Sequence, residues 1–126
     1  MPSPTLLLLS LAFLEAKHFV CDFVLQTPFQ MRSKGVYGHP GGFLHAGIHV
    51  LGTLPVFLLI APSLLVGVII LVGEFAVHYH LDWSKEQFLK RTGWTVNDGG
   101  YWITLGADQL LHHLTYVAIV AALVFA

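Results

Sequence analysis

Charge is what this sequence has least of. Lysine, arginine, aspartate and glutamate make up 10% of its 126 residues, against about 25% in an ordinary soluble domain, which excludes a water-exposed globular surface. The few charges nearly cancel to a formal net charge of −1. No basic face is left for nucleic acid, which is not an expected partner, and no acidic tail is present. Cys21 is the one cysteine, so an intrachain disulfide and a thiolate-rich metal site are both impossible. There is no H-E-x-x-H, no nucleotide-binding glycine loop and no nucleophile elbow, which removes several familiar enzyme classes. No Lys or Arg precedes the first apolar stretch, Leu6 to Leu14, and Glu15 and Lys17 follow it. That stretch reads as a retained membrane span rather than a cleaved signal peptide.

What is present is apolar length. Hydrophobic residues make up 56% of the chain, and residues 5–25, 43–60, 63–82 and 101–125 each approach the roughly 20 residues that cross about 30 Å of hydrocarbon as a helix. The expected fold is all-α: a single-domain integral membrane four-helix bundle, with the lipid bilayer as its obligatory partner. Ala61-Pro62-Ser63 is a tight turn that makes the second and third spans antiparallel neighbours. The first connection, residues 26–42, holds Pro28, Gly35, Gly38, Pro40 and Gly41 and reads as irregular. The second begins at Trp83, and Ser84 to Arg91 reads as a short amphipathic helix lying in the interface. Trp83, Trp94 and Trp102 read as interfacial anchors.

Cations set the topology. Arg32 and Lys34 lie in the first connection and Lys85, Lys90 and Arg91 in the second, while the 61–63 turn and both tails carry none. The positive-inside rule then puts both long connections in the cytoplasm and both termini outside. Lys17, the one cation within a span, is expected to extend its stem toward the nearer interface.

Ionisable residues inside membrane helices cost roughly 2.5–3.5 kcal/mol each at the centre for Asp, Lys or Arg, so their arrangement is informative. Glu15, His18 and Asp22 follow at steps of three and four, which is one helical face. His45 and His49 are four apart; Glu74, His78 and Asp82 repeat every four; Asp108 and His112 are four apart. All four pairs fall in the half of the bundle nearer the two long connections, and the opposite half is aliphatic.

A shared metal site explains such a set. Neutral imidazole and carboxylate are ligands for zinc, iron or manganese, and facing helices of a bundle can converge them on one or two divalent ions. The candidate ligands are His18, Asp22, His45, His49, His78, Asp82, Asp108 and His112. Asp22, Glu74 and Asp108 are the candidate catalytic carboxylates, able to orient a histidine or act as general base. Gln26, Lys85 and Gln109 flank the ligands and are candidates for contacting a substrate, a lipid headgroup or small molecule, although Lys85 also reads simply as a flanking cation. A single such histidine reads equally well as an interhelical hydrogen-bond donor; four stacked pairs at one depth do not. His39, His80 and His113 lie off these faces and are not expected to be ligands, and Cys21 reads as a small apolar filler.

The motifs His18-Phe19-Val20-Cys21-Asp22-Phe23-Val24-Leu25-Gln26, Leu44-His45-Ala46-Gly47-Ile48-His49, His78-Tyr79-His80-Leu81-Asp82-Trp83-Ser84-Lys85 and Asp108-Gln109-Leu110-Leu111-His112, in that order, resemble those of small bacterial membrane proteins grouped as domain-of-unknown-function family 3307. The resemblance spans nearly the whole chain. It implies a bacterial cytoplasmic-membrane protein and supplies no reaction. The short His/Asp motifs at helix ends are also similar, more loosely, to those of membrane-bound metal-dependent hydrolases. The expected function is therefore a metal-dependent enzyme of hydrolase type. A proton or metal-ion transporter and a haem-binding electron-transfer bundle are the competing readings.

The cation distribution makes a direct prediction. In a Cys21-free background, cysteines introduced near Lys34 and Lys90 should be shielded from impermeant thiol reagents added to intact cells, and one at Ala126 should react. Labelling in the reverse pattern would place the polar half of the bundle outside the cytoplasm.

Overall fold

The computed structural model describes residues 1–125; the labelling position at Ala126 lies outside them. Among the described residues the chain is helical, joined by turns. Helix α1 (Pro4–Phe19) starts where the Ser3 hydroxyl accepts from the Leu6 amide and Pro4 opens the first turn, as proline can without losing a hydrogen bond. It runs on without a cap into a π-helical turn, Val20–Val24, closed by Leu25 N donating to Val20 O at 2.9 Å. Helix α2 (Pro28–Ser33) is capped by the Thr27 hydroxyl, and α3 (Pro40–Thr53) by the His39 ring. A short α4 (Val56–Leu59) follows, then α5 (Leu64–Thr92) and α6 (Gly99–Val124).

Three helical stretches, Pro40–Leu59, Leu64–Thr92 and Gly99–Val124, are long and apolar enough to cross a membrane. The 16 residues of α1 fall short alone, and reach spanning length only with the π turn, as residues 4–24. The all-helical expectation holds, and α1 packs on α3 and α6, and α5 on α3 and α6. Three expectations need correction. The short interfacial helix does not exist as a separate element, because α5 continues unbroken through residues 83–92. No proline or glycine interrupts that stretch, and Gly93 at φ 69° provides the left-handed C-cap that ends it. At 1.5 Å per residue α5 is about 43 Å long, which exceeds the roughly 30 Å thickness of a hydrocarbon layer. The first connection is not wholly irregular, since α2 forms inside it. The second span is broken at Leu54-Pro55, where Pro55 has no amide to continue the α3 ladder.

The bundle is dry and aliphatic at one end and polar at the other. Leu14, Val56, Ile60, Ile70, Tyr116, Ile119 and Leu123 form the buried apolar cluster, which lies toward the start of α5 and the end of α6. Outward, the same helices expose Leu8, Leu58, Leu64, Leu65, Ile69, Val72 and Ile103, while Lys17, Asp22, Glu74, Asp82 and Asp108 are each at most 7% exposed. Charges inside and leucines outside invert the order of a protein folded in water.

Lys17 turns inward rather than toward the interface. Its ammonium donates to Glu74 Oε1 at 2.5 Å, to the His49 carbonyl at 3.0 Å and to Thr53 Oγ1 at 3.1 Å, which uses all three donors and ties α1, α3 and α5 together. Gly52 gives it passage: a Cβ there would meet Lys17 Cγ and Cδ at 2.7 Å. Partner and passage both lie inside the bundle, so the inward rotamer is favoured over an extended one. Lys17→Met should destabilise the purified protein by about 3–5 kcal/mol, because it strands a buried carboxylate. Combining it with Glu74→Leu should recover most of that loss, as read by unfolding in mixed detergent. A double variant no more stable than the single one would remove this ion pair as a helix tie.

Candidate metal centre

Each long helix delivers two groups to one interior. His18 comes from α1 and Asp22 from its π turn, His45 and His49 from α3, His78 and Asp82 from α5, Asp108 and His112 from α6. All eight are buried, none more than 7% exposed. The spacing of four explains their stacking within a helix. The π turn makes one wider turn at Asp22, which holds that carboxylate against α3 while its neighbours Phe23 and Val24 point outward.

Two carboxylates organise the histidines. Asp22 Oδ1 lies 2.9 Å from His49 Nε2 and 3.0 Å from His45 Nε2, and its Oδ2 lies 3.2 Å from His18 Nε2. Asp82 Oδ2 lies 3.4 Å from both His45 Nε2 and His78 Nε2, and its Oδ1 lies 3.4 Å from His112 Nε2. The imidazoles touch one another, with ring centres 3.9 Å apart for His49 and His78 and 4.3 Å for His78 and His112. Two donor groups result: Asp22, His45, His49 and His78, and, sharing His78, the trio His78, Asp82 and His112. Within each group the ligand atoms lie within 4.8 Å of one another. Metal–ligand bonds of about 2.0–2.2 Å put donors around a common ion roughly 3–4 Å apart, so either group could hold an ion with small side-chain adjustment.

The hydrogen bonding favours that use. Nε2 of His45, His78 and His112 is buried without a hydrogen-bond partner, although carboxylate oxygens lie 3.0–3.4 Å away. Gln30 Oε1, which can only accept, sits 3.0 Å from His45 Nδ1, so the ring proton belongs on Nδ1 and the Nε2 lone pair faces the two carboxylates. The His45 lone pair facing carboxylate oxygens is repelled unless a proton or a metal ion lies between them. An Nδ1–H held by an outer acceptor with Nε2 turned to the centre is the usual arrangement of a metal-ligating histidine.

The other expected site residues take different places. His18 lies at the edge, with Nδ1 2.8 Å from the Tyr116 hydroxyl and Nε2 3.0 Å from Gln109 Oε1, so both nitrogens have hydrogen-bonding partners. Asp108 touches the centre through His112, at 3.4 Å. Glu74 is outside both donor groups, paired with Lys17 one turn below His78. Gln26 donates to the Asp22 carbonyl at 2.9 Å, and Gln109 Nε2 donates to Asp108 Oδ2 at 3.3 Å. Lys85 Nζ stands 3.7 Å from Asp108 Oδ2 and 3.5 Å from Glu86 Oε1. Glu15 leaves the face of His18 to pair with His113. His39 caps α3, and His80 bonds the Tyr37 hydroxyl and the Ala76 carbonyl; neither approaches the centre.

Gln30, Lys34 and Tyr116 also belong to the site and were not expected there. Tyr116 continues the Asp108-His112 stripe by one further step of four, a signal present in the spacing. Gln30 depends on α2, which Thr27-Pro28 announces as a capped helix start. Lys34, 3.1 Å from Asp82 Oδ2, has no local signal, since only the folding of the first connection over α5 brings it in.

No curated protein and no solved structure matches the chain. The four motifs that line this centre are those on which the family resemblance was read, and a family model matches residues 8–126, essentially the whole chain. The protein belongs to the family described as Protein of unknown function (DUF3307).

Proposed function

We propose that this protein is a multi-pass bacterial cytoplasmic-membrane metalloenzyme that hydrolyses a lipid or other membrane-proximal substrate at the His/Asp centre. The observation that carries the metal reading is the set of three buried Nε2 atoms without hydrogen-bond partners, aimed at Asp22 and Asp82. His45, His49, His78 and His112 with Asp22 and Asp82 would hold one or two divalent ions. A divalent ion there would supply Lewis acidity and lower the pKa of a coordinated water. Gln30 and Tyr116 orient His45 and His18, and Asp108, beside His112 at 3.4 Å, is placed to take a proton.

The competing readings fit less well. A transporter needs a polar route through the far half of the bundle, where Leu14, Val56, Ile60, Ile70, Ile119 and Leu123 pack together. A haem needs a slot between facing histidines, and rings with centres 3.9–4.3 Å apart leave none for a porphyrin. Location at the cytoplasmic membrane is supported by the inverted distribution of charges and leucines and by the cation-rich connections.

Protein purified without chelator should retain a transition-metal ion, and joint replacement of His45 and His49 by alanine should release it while the helices remain folded, by elemental analysis and circular dichroism. Unchanged metal content in the folded double variant would remove these two from the ligand set. Asp→Asn at positions 22, 82 and 108 separates direct from supporting roles. Metal affinity, measured by competition with a chromophoric chelator, should fall by about 10- to 100-fold where the carboxylate orients a ligand and further where it binds the ion. If the carboxylates only tie helices together, the amide is tolerated or stabilising, and three folded variants with wild-type affinity would leave a structural polar core.

A further inference from the structure

The donor groups account for histidines and carboxylates but leave two ammonium groups without a role. Lys34 Nζ lies 3.1 Å from Asp82 Oδ2 and Lys85 Nζ 3.7 Å from Asp108 Oδ2, with side chains only 8% and 13% exposed. Lys85 follows Asp82 by three on α5 and so shares its face, and Lys34 reaches the same Asp82 from the C-terminal end of α2. Both stand on the side of the centre away from the Lys17–Glu74 pair and the aliphatic half.

Cations beside a metal centre oppose the ion it binds, so their presence calls for a compensating charge. Asp22, Asp82 and Asp108 against Lys34 and Lys85 leave a single negative charge when the histidines are neutral. One divalent ion turns that into a surplus of one positive charge; a second, with the single Nε2 lone pair of His78 serving only one of the two donor groups, raises it to three, or to two if Glu86 beside Lys85 is counted. A buried surplus of either size is stabilised by an anion in the site. A phosphoryl group fits best: it is dianionic, its terminal oxygens can each take a different cation, and paired divalent ions with flanking ammonium groups are the usual means of holding one.

We propose that the substrate is a phosphate ester, its phosphoryl oxygens bound by the metal centre together with Lys34 and Lys85. This rests on the metal reading above. The phosphate belongs either to a lipid headgroup or to a water-soluble ester, and the same two lysines would serve both.

The test uses the full chain in detergent, with metal content fixed by elemental analysis and inorganic phosphate as the calorimetric probe. Metal-loaded protein should bind phosphate, and Lys34→Gln and Lys85→Gln should each weaken that binding by about 10- to 100-fold with metal content unchanged. Lys90→Gln, whose ammonium only bonds the Gly35 carbonyl at the exposed surface, should bind as the wild type does. If Lys34→Gln fails to fold, Lys85→Gln and its rescue by Lys85→Arg decide the matter. Displacement of phosphate by dihexanoyl phosphatidic acid at lower concentration than by glycerol phosphate assigns the lipid source, and equal displacement the soluble one. Metal-loaded, folded protein that binds no phosphate, or binds it equally in wild type and both glutamine variants, overturns the phosphoryl site and leaves the metal centre standing. Protein that retains no metal under any loading overturns the metal reading first and this proposal with it.

Discussion

A charged side chain withdrawn from water must find its counterpart inside the protein, and in this chain that constraint is met at every level. Lys17 places its three donors on Glu74, Thr53 and the His49 carbonyl; Asp22 gathers three basic partners and Asp82 four. Because the partners of each group come from different helices, satisfying the charges also fixes how the helices pack. The aliphatic exterior supplies no such information, since leucines facing an apolar medium gain little by facing one neighbour rather than another. The polar interior is what specifies this bundle, and its density at one end gathers the His and Asp groups that could hold a metal ion.

The departures from regular helix serve the same end. The π turn at Val20–Val24 lengthens α1 and holds Asp22 against α3. The break at Leu54-Pro55 allows Val56 and Ile60 to join the apolar cluster, so the chain seals the dry half while α3 keeps His45 and His49 aimed at the centre. Gly52 lets the Lys17 stem cross α3 directly beneath His49. Each irregularity lies within a turn or two of a residue of the polar network, as expected where local geometry is bent to suit a site.

Much of this was legible in spacing. The four-residue repeats of His, Asp and Glu identified all six residues of the two donor groups, because residues four apart must share a helical face whatever the tertiary fold. Spacing could not say which way Lys17 points, since that depends on Gly52 and on Glu74 at matching depth across the bundle. It could not separate Glu74 from the centre either: the 74-78-82 repeat is regular, and only the partner offered by α1 draws the first member away. Composition alone ends the third span at Asp82, where apolar residues give way to charged ones, whereas α-helix propagates through charged residues that favour it. Lys34 and Gln30 were invisible because a short helix in a glycine- and proline-rich connection carries them, and no periodicity reports on where such a segment folds back.

Imidazole nitrogens and carboxylate oxygens of Asp22, His45, His49, His78, Asp82 and His112 are the atoms proposed to hold a divalent ion, in the two groups they form. X-ray absorption at the metal edge of the loaded, folded protein tests this assignment most directly. The expected result is a nitrogen and oxygen shell at about 2.0–2.2 Å with imidazole multiple scattering and no sulfur neighbour. A shell containing sulfur from Cys21, a shell without imidazole scattering, or no ion retained by the folded protein would contradict it.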